Sequence, residues 1–132
     1  MAGLTRGDVV RAALAALESG AGATTGELSI SFVDDAQIAE LNARWLDRAG
    51  PTDVIAFSLG DPGSVLGDVY ISVETARVNA AEREIAPGEE LLRLVLHGTL
   101  HVLGHDHPEG AGRESSDMYL LQEELLRGLS CG

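Results

Sequence analysis

The chain has 132 residues, 45% of them hydrophobic and 23% charged, which fits one soluble globular domain over residues 1–132 and excludes a disordered polar chain. No apolar run approaches the roughly 20 residues that span a bilayer, no charged-then-apolar leader opens the chain, and the lone Cys131 cannot close an intrachain disulfide, so a cytoplasmic protein with no membrane partner is expected. The net charge is −12 and all nine cations are arginines, which excludes attraction of a phosphate backbone by the field of the whole protein.

The predicted elements follow in chain order. Thr5 with Asp8 three residues later offers a capping box, and Val10, Leu14 and Leu17 share one face of a helix over residues 6–19, stopped by Gly20. Leu28 to Phe32 alternates apolar and polar, the signal of a half-buried strand. Asp34 or Asp35 can cap a second helix whose apolar face carries Ile38, Leu41 and Trp45. Val54 to Leu59 is a nearly continuous apolar run and reads as a fully buried strand, with Asp53 fixing the turn before it or, less favourably, supporting the site. Beyond the turn-forming Gly60-Asp61-Pro62-Gly63, Val69, Ile71 and Val73 alternate in a third strand, antiparallel to its predecessor because the connection is short.

Residues 74–85 read as a helix that stops before Ala86-Pro87-Gly88. The next helix carries Glu89 and Glu90 in its first turn, a leucine stripe at 92, 96, 100 and 103, and His97 and His101 on a different face. Ser115 or Ser116 starts a last helix with Met118, Leu121 and Leu125 inward. The fold class is therefore α+β, a small mixed sheet packed with about five helices.

All four histidines fall within residues 97–107. His97 and His101, four apart, lie one above the other on a helix, the spacing that presents two imidazoles to one metal ion. A straight helix would carry residue 105 about 12 Å beyond residue 97, too far for bonds of about 2 Å. The chain must turn, and Gly104 can adopt the left-handed conformation that ends helices. Past the turn either His105 or His107 can return to the ion, and His107 is favoured. Histidines with no ligand are the plain alternative. The spacing H-x3-H-x2-G-x2-H is that of the metzincin proteases, but Gly98 stands where those carry their glutamate base. Two readings of Gly98 stay open: a side chain there would obstruct substrate or a neighbouring strand, or helices pack closely at that point. Asp106 can orient an imidazole or form the turn and, less favourably, can act as a general base.

His97-Gly98, Leu100-His101, Gly104 and Asp106-His107 together closely resemble the signature of the YbeY-type endoribonucleases, also called rRNA maturation factors. Leu41-Asn42, Trp45, the segment Pro51 to Phe57 and the segment Leu66 to Ile71 resemble two further blocks of that family. The resemblance implies that His97, His101 and His107 hold one Zn2+ per chain, a metal site on a helix followed by a glycine turn. It implies a metal-dependent, single-strand-specific endoribonuclease acting in 16S rRNA 3′-end maturation and ribosome quality control. Its partners would be rRNA or other single-stranded RNA and the small ribosomal subunit with its associated proteins, and not DNA.

The chain departs from the family at three points. Leu46 stands where an arginine often follows the aromatic residue, His105 where a tyrosine is common, and Ala56 where a serine is usual. Arg44 and Arg48 flank Leu46 and could contact RNA phosphate, although exposed helix-end arginines beside Asp47 are the plainer reading. The family also places a strand before the first helix, whereas only four residues precede Thr5 here, so that strand is either missing or vestigial and one edge of the expected sheet stays undecided. Two rival functions remain: a zinc metalloprotease, which lacks its glutamate, and a non-catalytic ribosome-assembly factor with structural zinc, which suits the acidic charge and Leu46.

Overall fold

The computed structural model describes residues 5–20, 26–46, 50, 52–58, 65–102 and 117–131. Its elements run α1 (Arg6–Gly20), β1 (Gly26–Val33), α2 (Asp35–Trp45), β2 (Val54–Ser58), β3 (Val65–Ser72), α3 (Val73–Arg83), α4 (Pro87–Val102) and α5 (Asp117–Cys131). This is the expected order and the expected α+β class. The sheet is mixed, in the order β1-β3-β2, with β1 parallel and β2 antiparallel to the central β3.

Local chemistry explains where the helices start and stop. Thr5 and Asp8 form the expected reciprocal cap: the Thr5 N–H donates to Asp8 Oδ2 at 3.0 Å and the Asp8 N–H to Thr5 Oγ1 at 3.1 Å. Asp34, not Asp35, caps α2, with its Oδ1 2.7 Å from the Gln37 N–H and Gln37 Oε1 returning to the Asp34 N–H at 3.0 Å. Asp35 is used elsewhere. Its Oδ1 accepts from the Ser72 hydroxyl and, at 2.6 Å, from Thr75 Oγ1, joining the starts of α2 and α3. Ser72 also caps α3, so Val73 opens that helix instead of extending β3 as its alternation suggested. Glu84, in the left-handed region at φ 57°, closes α3.

The core forms around α4. Leu91, Val95, Leu96 and Leu100 are at most 1% exposed, and Leu94 and Val102 join them, so this helix is apolar on more than the expected leucine stripe. Its sheet-facing side meets one face of the β-sheet, where the register aligns Ile30 with Val69 and Val69 with Ala56. The other face carries Ile55, Phe57 and Tyr70, the last two in edge-to-face contact with ring centroids 6.2 Å apart. There α2 packs on β2 and β3 with Ile38 buried.

Three expectations change. β2 is not fully buried: among the described residues it is an edge strand in which Ile55 is buried and Val54, Ala56 and Phe57 only partly so, because a strand with one neighbour is covered less. Trp45 is 64% exposed, and the inner line of α2 runs through Ile38 and Asn42, whose Nδ2 donates to the Gly50 carbonyl at 2.9 Å. In α1 the buried face is Ala12, Ala13 and Ala16, while Val10 and Leu14 are about half exposed. Small residues let α1 approach α4 and α5 closely, and the larger ones line a groove of about 640 Å³ against Leu28, Ile30 and Phe32. Among the described residues β1 pairs only with β3, and the groove lies between β1 and α1.

Candidate metal centre

α4 carries the two histidines because its remaining faces are taken up by the core. Both rings are half-buried, with centroids 4.7 Å apart and planes at 71°. An imidazole bound through one nitrogen places its centroid roughly 3 Å from the ion, so two ligands of one ion lie within roughly 6 Å of each other. The pair meets that condition. His107, His105, Asp106, Gly104 and Arg48 lie outside the described residues, and no third His, Cys, Asp or Glu among the described residues is grouped with the pair.

Gly98 lies beside His97 for a reason the geometry assigns. A Cβ there would fall 2.5 Å from Val69 Cγ1 and 3.3 Å from Val54 Cγ2, so the neighbouring strands, not another helix, require the glycine. Gly67 on β3 does the same one turn along, where a Cβ would meet the Phe57 carbonyl oxygen and Val102 Cγ1, both at 2.6 Å. The two glycines together seat the histidine-bearing part of α4 directly on β2 and β3.

Behind the histidines lies a polar assembly that the sequence reading missed. Gln122 of α5 is 3% exposed, and its Oε1 lies 2.7 Å from His97 Nδ1. Its Nε2 donates to Glu123 Oε2 at 3.0 Å. Arg93, one turn before His97, grips Glu123 in a fork, Nε to Oε2 at 2.9 Å and Nη2 to Oε1 at 3.0 Å, and reaches Glu90 Oε1 through Nη1 at 2.9 Å. Arg83 approaches Glu90 from α3 at 3.5 Å. Burial pushes the Glu123 carboxyl upward, but the hydrogen bonds from Arg93 and Gln122 and the charges of Arg93 and Arg83 outweigh it and hold the group below its ordinary range. The available signal was Gln122 itself, a polar residue between apolar positions 121, 125 and 126 of an otherwise inward face.

The remaining expected site residues sit apart. Arg44 lies in the last turn of α2, 65% exposed on its side chain, and pairs with Glu40 at 3.2 Å. Asp53 holds the start of β2: its carbonyl accepts from the Ser72 N–H at 2.9 Å, and its Oδ2 lies 3.4 Å from Asn79 Nδ2.

The family model for Endoribonuclease YbeY matches residues 5–130. This chain belongs to the YbeY family. It is 44% identical over 107 residues to the Endoribonuclease YbeY of Synechococcus sp. (strain CC9605), covering 75% of this chain and 63% of that protein. The Syntrophus aciditrophicus protein of the same name is 42% identical over 106 residues, covering 76% of this chain and 66% of that one. The chain thus spans less than two thirds of the length of these two relatives. The solution structure of TM1509 from Thermotoga maritima superposes with a TM-score of 0.66 at 26% identity, over 93% of this chain and 79% of that one. The YbeY fold and the paired histidines of α4 therefore come together in one chain.

Proposed function

We propose that this chain is a metal-dependent, single-strand-specific endoribonuclease of 16S rRNA 3′-end maturation and ribosome quality control, acting in the cytoplasm as one YbeY-like domain over residues 1–132. The observation that carries the reading is the His97–His101 pair, spaced for one ion on a helix seated against the sheet. His97, His101 and His107 would hold one Zn2+, three imidazoles leaving the fourth position open, as in catalytic zinc sites. When bound, such an ion supplies charge stabilisation at a scissile phosphate and lowers the pKa of its water toward about 7. Asp106 is assigned to orienting an imidazole or, less favourably, to accepting a proton as base. Arg44 and Arg48 would touch the RNA backbone, and Arg44 must first leave Glu40. The small ribosomal subunit or its associated proteins would bring the rRNA, which relieves the repulsion expected from a net charge of −12.

The purified chain is expected to carry about one zinc, to cut single-stranded RNA in preference to duplex, and to leave casein intact. His97→Ala, His101→Ala and His107→Ala should each deplete the metal and abolish cleavage while circular dichroism shows the helices in place. His105→Ala should do neither. Loss of metal in the His105 variant with retention in the His107 variant would exchange the third ligand. Unfolding on metal removal, with no RNA cleavage by the loaded wild type, would replace the enzyme by the assembly factor with structural zinc, a reading favoured by Leu46 and the acidic charge.

A further inference from the structure

We propose that Gln122 is a positioning residue that sets the tautomer of His97, holding the ring proton on Nδ1 and leaving the Nε2 lone pair for a divalent cation. The assignment follows from a chain of hydrogen bonds whose directions are forced one after another. Arg93 has only donors, and its fork fixes both Glu123 oxygens as acceptors at 2.9 and 3.0 Å. Because Glu123 is held as the anion it cannot donate, so the Gln122 group 3.0 Å from Oε2 must be the NH2. The opposite end of the same amide, facing His97 Nδ1 at 2.7 Å, is then the carbonyl oxygen. A carbonyl oxygen accepts only, so Nδ1 carries the proton.

Turning the amide over would set its oxygen against a carboxylate oxygen in a site where Gln122 is 3% exposed, and no water replaces the lost bond cheaply there. The circuit runs from α4 at Arg93 to α5 at Glu123 and Gln122, and back to α4 one turn later at His97. Its geometry is set by the packing of two helices rather than by a loop. In water the neutral side chain prefers its proton on Nε2, so the protein reverses the ring's own preference. A metal-binding imidazole commonly donates its other N–H to a fixed acceptor, which orients the ring and raises its basicity. The use of the Nε2 lone pair rests on His97 being a metal ligand, whereas the tautomer does not.

The test reads the two parts separately. In the full chain stripped of metal by a chelator, at pH 8, above the reference imidazole value of about 6.5, two-bond 15N–1H correlation spectra assign each ring nitrogen. His97 should show a protonated Nδ1 in the wild type. Gln122→Met, similar in shape but without the acceptor, should move the proton to Nε2. Glu123→Gln, which leaves His97 and Gln122 untouched, should give a mixture because the amide is no longer locked. Exchanging the pair, Gln122→Glu with Glu123→Gln, restores an acceptor next to His97 at unchanged net charge and should restore the Nδ1 proton.

Zinc affinity, measured by competition with a chromophoric chelator, should fall about 10- to 100-fold in Gln122→Met and recover in the exchanged pair. A wild-type His97 protonated on Nε2, or a Gln122→Met protein with the wild-type tautomer, overturns the proposal. An Nδ1 proton in a chain that binds no zinc upholds the tautomer and overturns the metal assignment instead.

Discussion

A methyl group on Gly98 would lie 2.5 Å from Cγ1 of Val69, a residue with no exposed surface in the central strand. Val69 is β-branched and stiff at χ1, so it cannot swing aside, and the helix or the strand must move. Overpacking of this kind costs about 1–3 kcal/mol, while alanine returns about 1 kcal/mol of helix propensity. Gly98→Ala should therefore lower the urea midpoint and shift the His97 and His101 resonances, because the displaced turn carries both rings. A midpoint equal to or above wild type would show that the sheet yields at this point. The absent protease glutamate is thus also a packing requirement, since any side chain at position 98 meets the sheet before it meets substrate.

At the scale of elements, α4 and α5 are joined by charge as well as by leucines. Glu90 is 1% exposed, and Arg93 serves Glu90, Glu89 and Glu123 at once. Removing one partner of a buried ion pair costs about 3–5 kcal/mol, and here the Glu90 carboxylate would be left buried with only Arg83, 3.5 Å away, to face it. Arg93→Met should destabilise the fold by an amount in that range, read from chemical denaturation. A loss below about 1 kcal/mol would mean that Arg83 or water takes over Glu90. The same assembly gives an acid dependence. The Glu123 carboxyl titrates lower in the folded chain than in the unfolded one, held down against burial by hydrogen bonds from Arg93 of α4 and Gln122 and by the charges of Arg93 and Arg83. Its contribution is fully present above the unfolded value of about 4.3 and is lost as pH falls through the lower folded value. Asp35, lowered by the Ser72 and Thr75 hydroxyls, and Asp8, lowered by its hydrogen bonds with Thr5, act in the same direction. Denaturation midpoints measured from pH 6 down to pH 3 should fall, and fall less steeply in Glu123→Gln. Parallel curves for the two proteins would remove Glu123 from the acid response.

For the whole molecule, the net charge of −12 sets how the RNA of the proposed function could be approached. Each phosphate neutralised on a single strand contributes a slope of about −0.7 in log K against log salt. With Arg44 and Arg48 as the candidate contacts, free RNA should bind weakly with a total slope of roughly −1 to −2. Replacing both by alanine should weaken all sequences alike, since phosphate contacts carry no base information, and Leu46→Arg should strengthen binding. A steep slope that survives the double substitution would place the RNA path elsewhere.

The sequence by itself determined what depends on neighbours a few residues apart. The Thr5 cap, the antiparallel β2–β3 pair, the α+β class and the i,i+4 histidine pair are all local, fixed by helix period, turn length or side-chain reach along one segment, whereas the choice between Asp34 and Asp35 as the α2 cap stayed open until the structure. Tertiary structure decided what depends on which surfaces meet. Periodicity placed Val10 and Leu14 inward, but α1 buries its alanines because close approach to α4 and α5 outweighs the size of the side chain. Val54 to Leu59 read as a fully buried strand, yet β2 lies at an edge of the described sheet and is only partly buried, since an apolar run does not reveal how many neighbours it will have. Gln122 and His97 are 25 positions apart, and no spacing rule links them. Only the packing of α5 on α4 brings the amide to the ring and gives the buried polar group its partner.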